Sequence, residues 1–140
     1  MKRNIFKEET VVWSCQYHVV WCPKYRRKVL IGKIKERLEE LIKEKQQEYM
    51  YNVLEMEIMP DHVHLLVEVS PKVGIYPVIT KIKGYTSHSL RAEYPELKSK
   101  LPSLWTLSKF IGTCGSVSLR TVKNYIQSQK RSEPRSHPNA

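Results

Sequence analysis

At 140 residues the chain has the length of one domain, and its 41% hydrophobic content is adequate for a packed core rather than for wholesale disorder. No apolar run approaches the roughly 20 residues needed to span a bilayer, and Met1 to Thr10 mixes Lys and Glu where a secretory signal would be apolar; a cytosolic protein is expected. A formal charge of +10 makes polyanions, nucleic acid above all, the expected partners, while no long basic amphipathic helix with aromatics on its apolar side points to a membrane surface.

In chain order, Val11 to Val20 is rich in β-branched and aromatic residues and reads as a strand, followed by Trp21-Cys22-Pro23 and a basic cluster of Lys24, Arg26, Arg27 and Lys28. Past Gly32 the period changes. Ile34, Leu38, Leu41, Ile42 and Tyr49 share one helical face, which predicts a helix over Lys33 to Met50. Tyr51 to Met59 and His62 to Val69 read as two strands joined by the turn formers Pro60-Asp61, hence an antiparallel hairpin. A second helix is expected over Ile75 to Ala92, with Pro77 in its first turn and Ile75, Val78, Ile79, Ile82 and Tyr85 on its buried stripe. Tyr94 to Ser103 is a proline-bounded loop with room for a turn of helix, Leu104 to Ile111 returns to strand character, and Thr113-Cys114-Gly115 connects to a last helix. Ser116 or Ser118 would cap that helix, which runs to about Lys130. The order β-α-β-β-α-β-α predicts an α+β fold: a ferredoxin-like antiparallel sheet with helices packed on it, plus a C-terminal helix. Residues 1–130 are expected to form one domain, and the polar, proline-containing 131–140 a disordered tail. Cys15, Cys22 and Cys114 form no CxxC pair and are read as ordinary buried thiols.

Chemistry concentrates in two places. In a strand, residues i and i+2 project from one face, so His62 and His64 stand side by side while Val63 points to the packed helices. Two imidazoles are a start on a metal site, and Asp61 could orient one of them. The alternative is a pair of surface histidines. On the last helix, Leu119, Val122 and Ile126 form the apolar stripe, with Tyr125 and Gln129 one turn apart at its edge. A phenol beside a metal is a usable nucleophile for phosphoryl transfer, and an amide oxygen could complete a ligand set with the histidines. Taken singly, Tyr125 reads as a packed helix tyrosine and Gln129 as a solvated polar residue.

The combination resembles the single-tyrosine HUH transposases of small bacterial and archaeal insertion sequences. The matching stretches are Tyr17 to Arg27 (YHVVWCPKYRR), Pro60 to Val67 (PDHVHLLV), Lys83-Gly84, Leu104-Trp105 and Thr121 to Gln129 (TVKNYIQSQ), covering nearly all the chain except its termini. The resemblance implies that His62 and His64 are the HUH pair, that Tyr125 forms a 5′-phosphotyrosine link to single-stranded DNA, and that Gln129 is a third ligand to Mg²⁺ or Mn²⁺. It further implies hairpin recognition near the element's ends and a homodimer whose active sites can be completed in trans, with Thr113 to Ser116 as the hinge. Lys109 and Cys114 depart from the family pattern, which has an aromatic and a branched residue there.

For DNA contact, Lys24, Tyr25, Arg26, Arg27 and Lys28 interleave an aromatic ring with cations, as suits a phosphate backbone with a stacked base. Lys81, His88 and Arg91 share a side of the second helix and could extend that track. His18 is expected to be a strand histidine with a local hydrogen bond. The rival readings are a non-catalytic hairpin DNA or RNA binder on the same scaffold, a replication initiator or relaxase of HUH type, and a zinc-binding protein. An intact Tyr125, His62 and His64 set argues against the first, and the lack of room for a further domain against the second. The third is weakened by the lack of a cysteine pair.

Overall fold

The computed structural model describes residues 15–113 and 119–131. The elements are β1 (Gln16–Trp21), α1 (Gly32–Glu44), α2 (Gln46–Tyr49), β2 (Tyr51–Met59), β3 (His62–Val69), α3 (Ile75–Glu93), α4 (Pro95–Lys100), β4 (Phe110–Thr113) and α5 (Leu119–Arg131), with one 3₁₀ turn at Lys24–Arg26. The strands form one antiparallel sheet in the order β2-β3-β1-β4, as the ferredoxin-like expectation requires. Val11 to Ser14 of the predicted first strand, the Ser116 and Ser118 caps, Cys114, Gly115 and residues 132–140 of the predicted tail lie outside the described residues.

Alternation divides the sheet into two faces. Val19, Trp21, Val63, Leu65 and Val67 are buried against Leu38, Leu41 and Ile42 of α1 and Val78, Ile79, Ile82 and Leu90 of α3. His18, Val20, His62, His64 and Leu66 take the opposite face. In β2 the apolar residues change parity, from Tyr51 and Val53 to Met56 and Ile58. The pairing shows why: a bulge falls between Val53 and Glu55. The extra residue turns Glu55 and Glu57 onto the histidine face.

Two predicted boundaries are corrected. The helix expected over Lys33 to Met50 is broken at Lys45. The buried Tyr51 hydroxyl donates to the Ile42 carbonyl near the end of α1, and the Gln46 side-chain oxygen accepts from the Val53 amide at 2.8 Å. The first bond satisfies a carbonyl in the last turn of α1 that a longer helix would have bonded, and the second ties α2 to β2. Met50 then turns the chain into β2 in the left-handed region, at φ 64°. The turn of helix that the Tyr94 to Ser103 loop had room for is α4, with Pro95 in its first turn.

The second correction is the strand predicted over Leu104 to Ile111, which begins only at Phe110. Trp105 is buried edge-on to Trp21 at 5.7 Å, and its indole N–H donates to Thr86 Oγ1 at 3.1 Å. The Lys24 amide donates to the Leu104 carbonyl and the Thr106 amide to the Cys22 carbonyl, at 2.8 and 3.0 Å. A short clasp at Leu104 and Thr106 and an irregular path to Lys109 thus replace all but the end of the expected strand. Of the two described cysteines, Cys22 is buried as expected and Cys15 only half-buried.

Candidate active site

The antiparallel register aligns one row across the sheet: Glu57, His64, Val20 and Phe110 are successive partners. Their side chains therefore share the histidine face. His64 and Phe110 lie two strands apart, about 10 Å at the usual interstrand spacing. The Tyr125 ring packs on Phe110 with centroids 5.9 Å apart. This contact sets the tyrosine of α5 over the face that carries the histidines.

The polar end of Tyr125 is held by a residue that sequence reasoning missed. Ser108 Oγ lies 2.9 Å from the Tyr125 hydroxyl and 2.9 Å from Gln129 Oε1. The one-turn spacing of Tyr125 and Gln129 thus brings both onto a single hydroxyl. Burial raises the Tyr125 phenol above its ordinary value, and the hydrogen bond with Ser108 acts in the opposite direction.

Asp61 does orient a histidine. Its Oδ1 lies 2.9 Å from His62 Nδ1, and its Oδ2 accepts from Arg26 Nε at 3.1 Å. An Nδ1–H donated to Asp61 leaves the His62 Nε2 lone pair as the outward donor. The second nitrogen group of Arg26 donates to the Ile126 carbonyl at 3.0 Å. One guanidinium therefore ties the histidine turn to the tyrosine helix. Tyr25 and Arg26 both hold positive φ, 60° and 53°, a conformation uncommon for residues with a Cβ. It turns Arg26 inward, away from the predicted DNA track.

His18 departs from its expected local bond. Its Nδ1 lies 3.1 Å from His64 Nε2, across 46 residues of sequence. Burial first, and the His18 imidazole second, lower the His64 pKa. Among the described residues, no group of three His, Cys, Asp or Glu side chains is placed to hold a metal. An amide oxygen such as that of Gln129 would have to join the histidines.

The remaining predicted binding residues divide by environment. Arg27 and Lys28 are exposed, and Lys24 and Arg27 lie 5.6 and 5.8 Å from the Tyr25 ring centre. Lys81 stands over the Tyr49 ring at 5.7 Å, whereas Arg91 donates to the Leu101 carbonyl at 3.1 Å. Lys109 lies 4.3 Å from the Tyr76 ring centre.

Lys83, on α3, is buried, and its ammonium donates to the carbonyls of Thr106, Leu107 and Ser108 at 2.8, 3.4 and 3.2 Å. Burial lowers its pKa to about 8. Between that value and its ordinary one near 10.5 the unfolded chain binds more protons than the folded one, so stability rises with pH in this window. Relative to Lys83→Met, the protein should gain about 2 kcal/mol between pH 7 and pH 10, read by urea denaturation at both. A difference that does not change with pH would contradict the assignment.

Residues 11–129 match the family described as transposase IS200 like. The ISDra2 transposase TnpA of Deinococcus radiodurans is 35% identical over 124 residues, which span 87% of this chain and 89% of that protein. The transposase for insertion sequence element IS200 of Salmonella typhimurium is 29% identical over 119 residues, 84% of this chain and 78% of that one. A crystal structure of a transposase from Deinococcus radiodurans R1 superposes with a TM-score of 0.79 at 27% identity, covering 88% of this chain and 96% of that one. A REP-associated tyrosine transposase bound to a REP hairpin has the same fold, with a TM-score of 0.56 at 11% identity over 85% of this chain and 68% of that one. With the family match running through both the histidine strand and the tyrosine helix, this chain belongs to the IS200-like transposases.

Proposed function

We propose that this transposase cleaves and rejoins single-stranded DNA at insertion-sequence ends through a 5′-phosphotyrosine on Tyr125. The observation that carries the proposal is the docking of Tyr125 and Gln129 over the sheet face that presents His62 and His64. In the cleavage step the Tyr125 oxygen bonds to phosphorus as the phenol gives up its proton to solvent water, which also supplies the proton taken up by the leaving oxygen. The bond from phosphorus to the 3′-oxygen breaks, and that oxygen leaves as a hydroxyl after taking up a proton. The ester energy is retained in the phosphotyrosine, so a second 3′-hydroxyl rejoins the strand by the reverse reaction without ATP.

His62, His64 and Gln129 would hold Mg²⁺ or Mn²⁺, and their donor types fit such an ion: a lone pair on His62 opposite its Asp61 contact, the His64 ring nitrogen once it exchanges His18 for the ion, and an amide oxygen. When bound, the ion would polarise the scissile phosphate as a Lewis acid. Asp61 fixes the His62 ring, and Arg26 fixes Asp61 against the tyrosine helix. Asp61→Ala is accordingly expected to lower Mn²⁺ affinity about 10–100-fold, as loss of a ligand's supporting carboxylate typically does, measured by calorimetry. Unchanged affinity would remove Asp61 from the site.

The DNA substrate in this reading carries hairpins, in line with the REP hairpin held by the structural relative. Lys24, Tyr25, Arg27 and Lys28 supply cations and a stacking ring for it. The working unit is a homodimer able to exchange its tyrosine helices.

The test is a denaturing gel of the protein with labelled, hairpin-bearing single strands and Mg²⁺ or Mn²⁺. A covalent adduct is expected. Hairpin binding with no adduct under either metal would instead favour the non-catalytic binder.

A further inference from the structure

We infer that Ser108 is a positioning residue that aims the Tyr125 nucleophile and Gln129 together, and that Lys83 holds Ser108 in place to do so. The inference rests on the reading of Tyr125 as the nucleophile.

Proton counting supplies the direction. A serine hydroxyl has one proton to donate. Gln129 Oε1 can only accept, so at 2.9 Å it takes the Ser108 proton. The 2.9 Å contact between Ser108 and Tyr125 must then be donated by the phenol. The order is Tyr125 O–H to Ser108 Oγ, and Ser108 O–H to Gln129 Oε1. The phenolic proton is thereby turned towards Ser108, and the phenolic lone pairs face away from it. The same serine proton orients the amide of Gln129 with its oxygen inward.

Ser108 can do this only if its backbone is fixed, and it lies in an irregular segment just before β4. Lys83 provides the fixing. Its three N–H donors meet three consecutive carbonyls, those of residues 106 to 108, from a buried position on α3. The clasp between Leu104, Thr106 and the end of β1 anchors the segment on its other side. A continuous linkage thus runs from the core helix through the loop to the hydroxyl of the nucleophile. Neither Ser108 nor Lys83 touches the phosphate or the ion in this scheme; both act through Tyr125 and Gln129.

Single-turnover cleavage at saturating DNA and Mn²⁺ should fall about 10–100-fold in Ser108→Ala, the range for a reacting group displaced by about an ångström. Hairpin affinity should be unchanged within about twofold, and Ser108→Thr, which keeps the hydroxyl, should restore most of the rate. Without DNA or metal, the ¹⁹F resonance of 3-fluorotyrosine placed at position 125 should move in Ser108→Ala and in Lys83→Met. An unmoved resonance, or cleavage by Ser108→Ala at the unsubstituted rate, would overturn the inference. The resonance needs no activity and compares folded proteins, so it decides the matter even if one variant is inactive. Absence of any adduct from the unsubstituted protein would instead count against Tyr125 as nucleophile.

Discussion

Tyr125→Phe should abolish the covalent protein–DNA adduct, a loss of at least about 10³-fold in strand cleavage, because the substitution removes the attacking oxygen itself. The phenyl ring keeps its packing on Phe110, whose centroid lies 5.9 Å away. What is lost in the fold is the hydrogen bond to Ser108, worth about 0.5–1.5 kcal/mol. The helix remains tied by Arg26 to the Ile126 carbonyl. Hairpin affinity and the cooperative unfolding transition should therefore change little while the adduct disappears. The measurement is a denaturing gel beside a binding titration at one fixed salt concentration, since phosphate contacts make affinity salt-dependent. Residual adduct in Tyr125→Phe would place the nucleophile elsewhere among the tyrosines.

His62→Ala should reduce cleavage by at least about 10³-fold while sparing hairpin affinity, since Lewis-acid stabilisation of a phosphoryl transition state is worth several kcal/mol. The side chain is half-buried and its polar partner, Asp61, keeps Arg26, so no unpaired buried charge results. The strand retains Val63, Leu65 and Val67 in the core, and the fold should survive. Calorimetry with Mn²⁺ gives the independent reading: weaker binding in His62→Ala is expected. Full metal affinity with lost cleavage would make His62 something other than a ligand. Persistence of cleavage would remove the histidine pair from the reaction.

Much of the architecture was legible because the responsible forces are local. Alternation in His62 to Val69 assigns Val63, Leu65 and Val67 to the core and the two histidines to the other face, and the structure has them so. The 3.6-residue period marked Leu38, Leu41 and Ile42 on α1 and Val78, Ile79 and Ile82 on α3, all buried. The errors fall where distant partners override local preference. Leu104 to Lys109 has strand composition, but the buried indole of Trp105 and the Lys83 ammonium impose an irregular path. The helix break at Lys45 reflects a tyrosine hydroxyl and a strand amide that no helical period encodes.

For the site, sequence spacing determined which residues can act together within one element: His62 with His64, and Tyr125 with Gln129. Tertiary structure alone decided that these pairs share a face, because the row from Glu57 to Phe110 depends on strand order and register. It also recruited Ser108, Lys83, Arg26 and His18, whose partners lie 17 to 100 residues away. A hydrogen bond over such separations leaves no periodic trace, since each partner taken alone is an ordinary serine, lysine, arginine or histidine. The sequence thus determined the candidate groups and the scaffold that carries them. Long-range packing and hydrogen bonding decided how those groups are aimed.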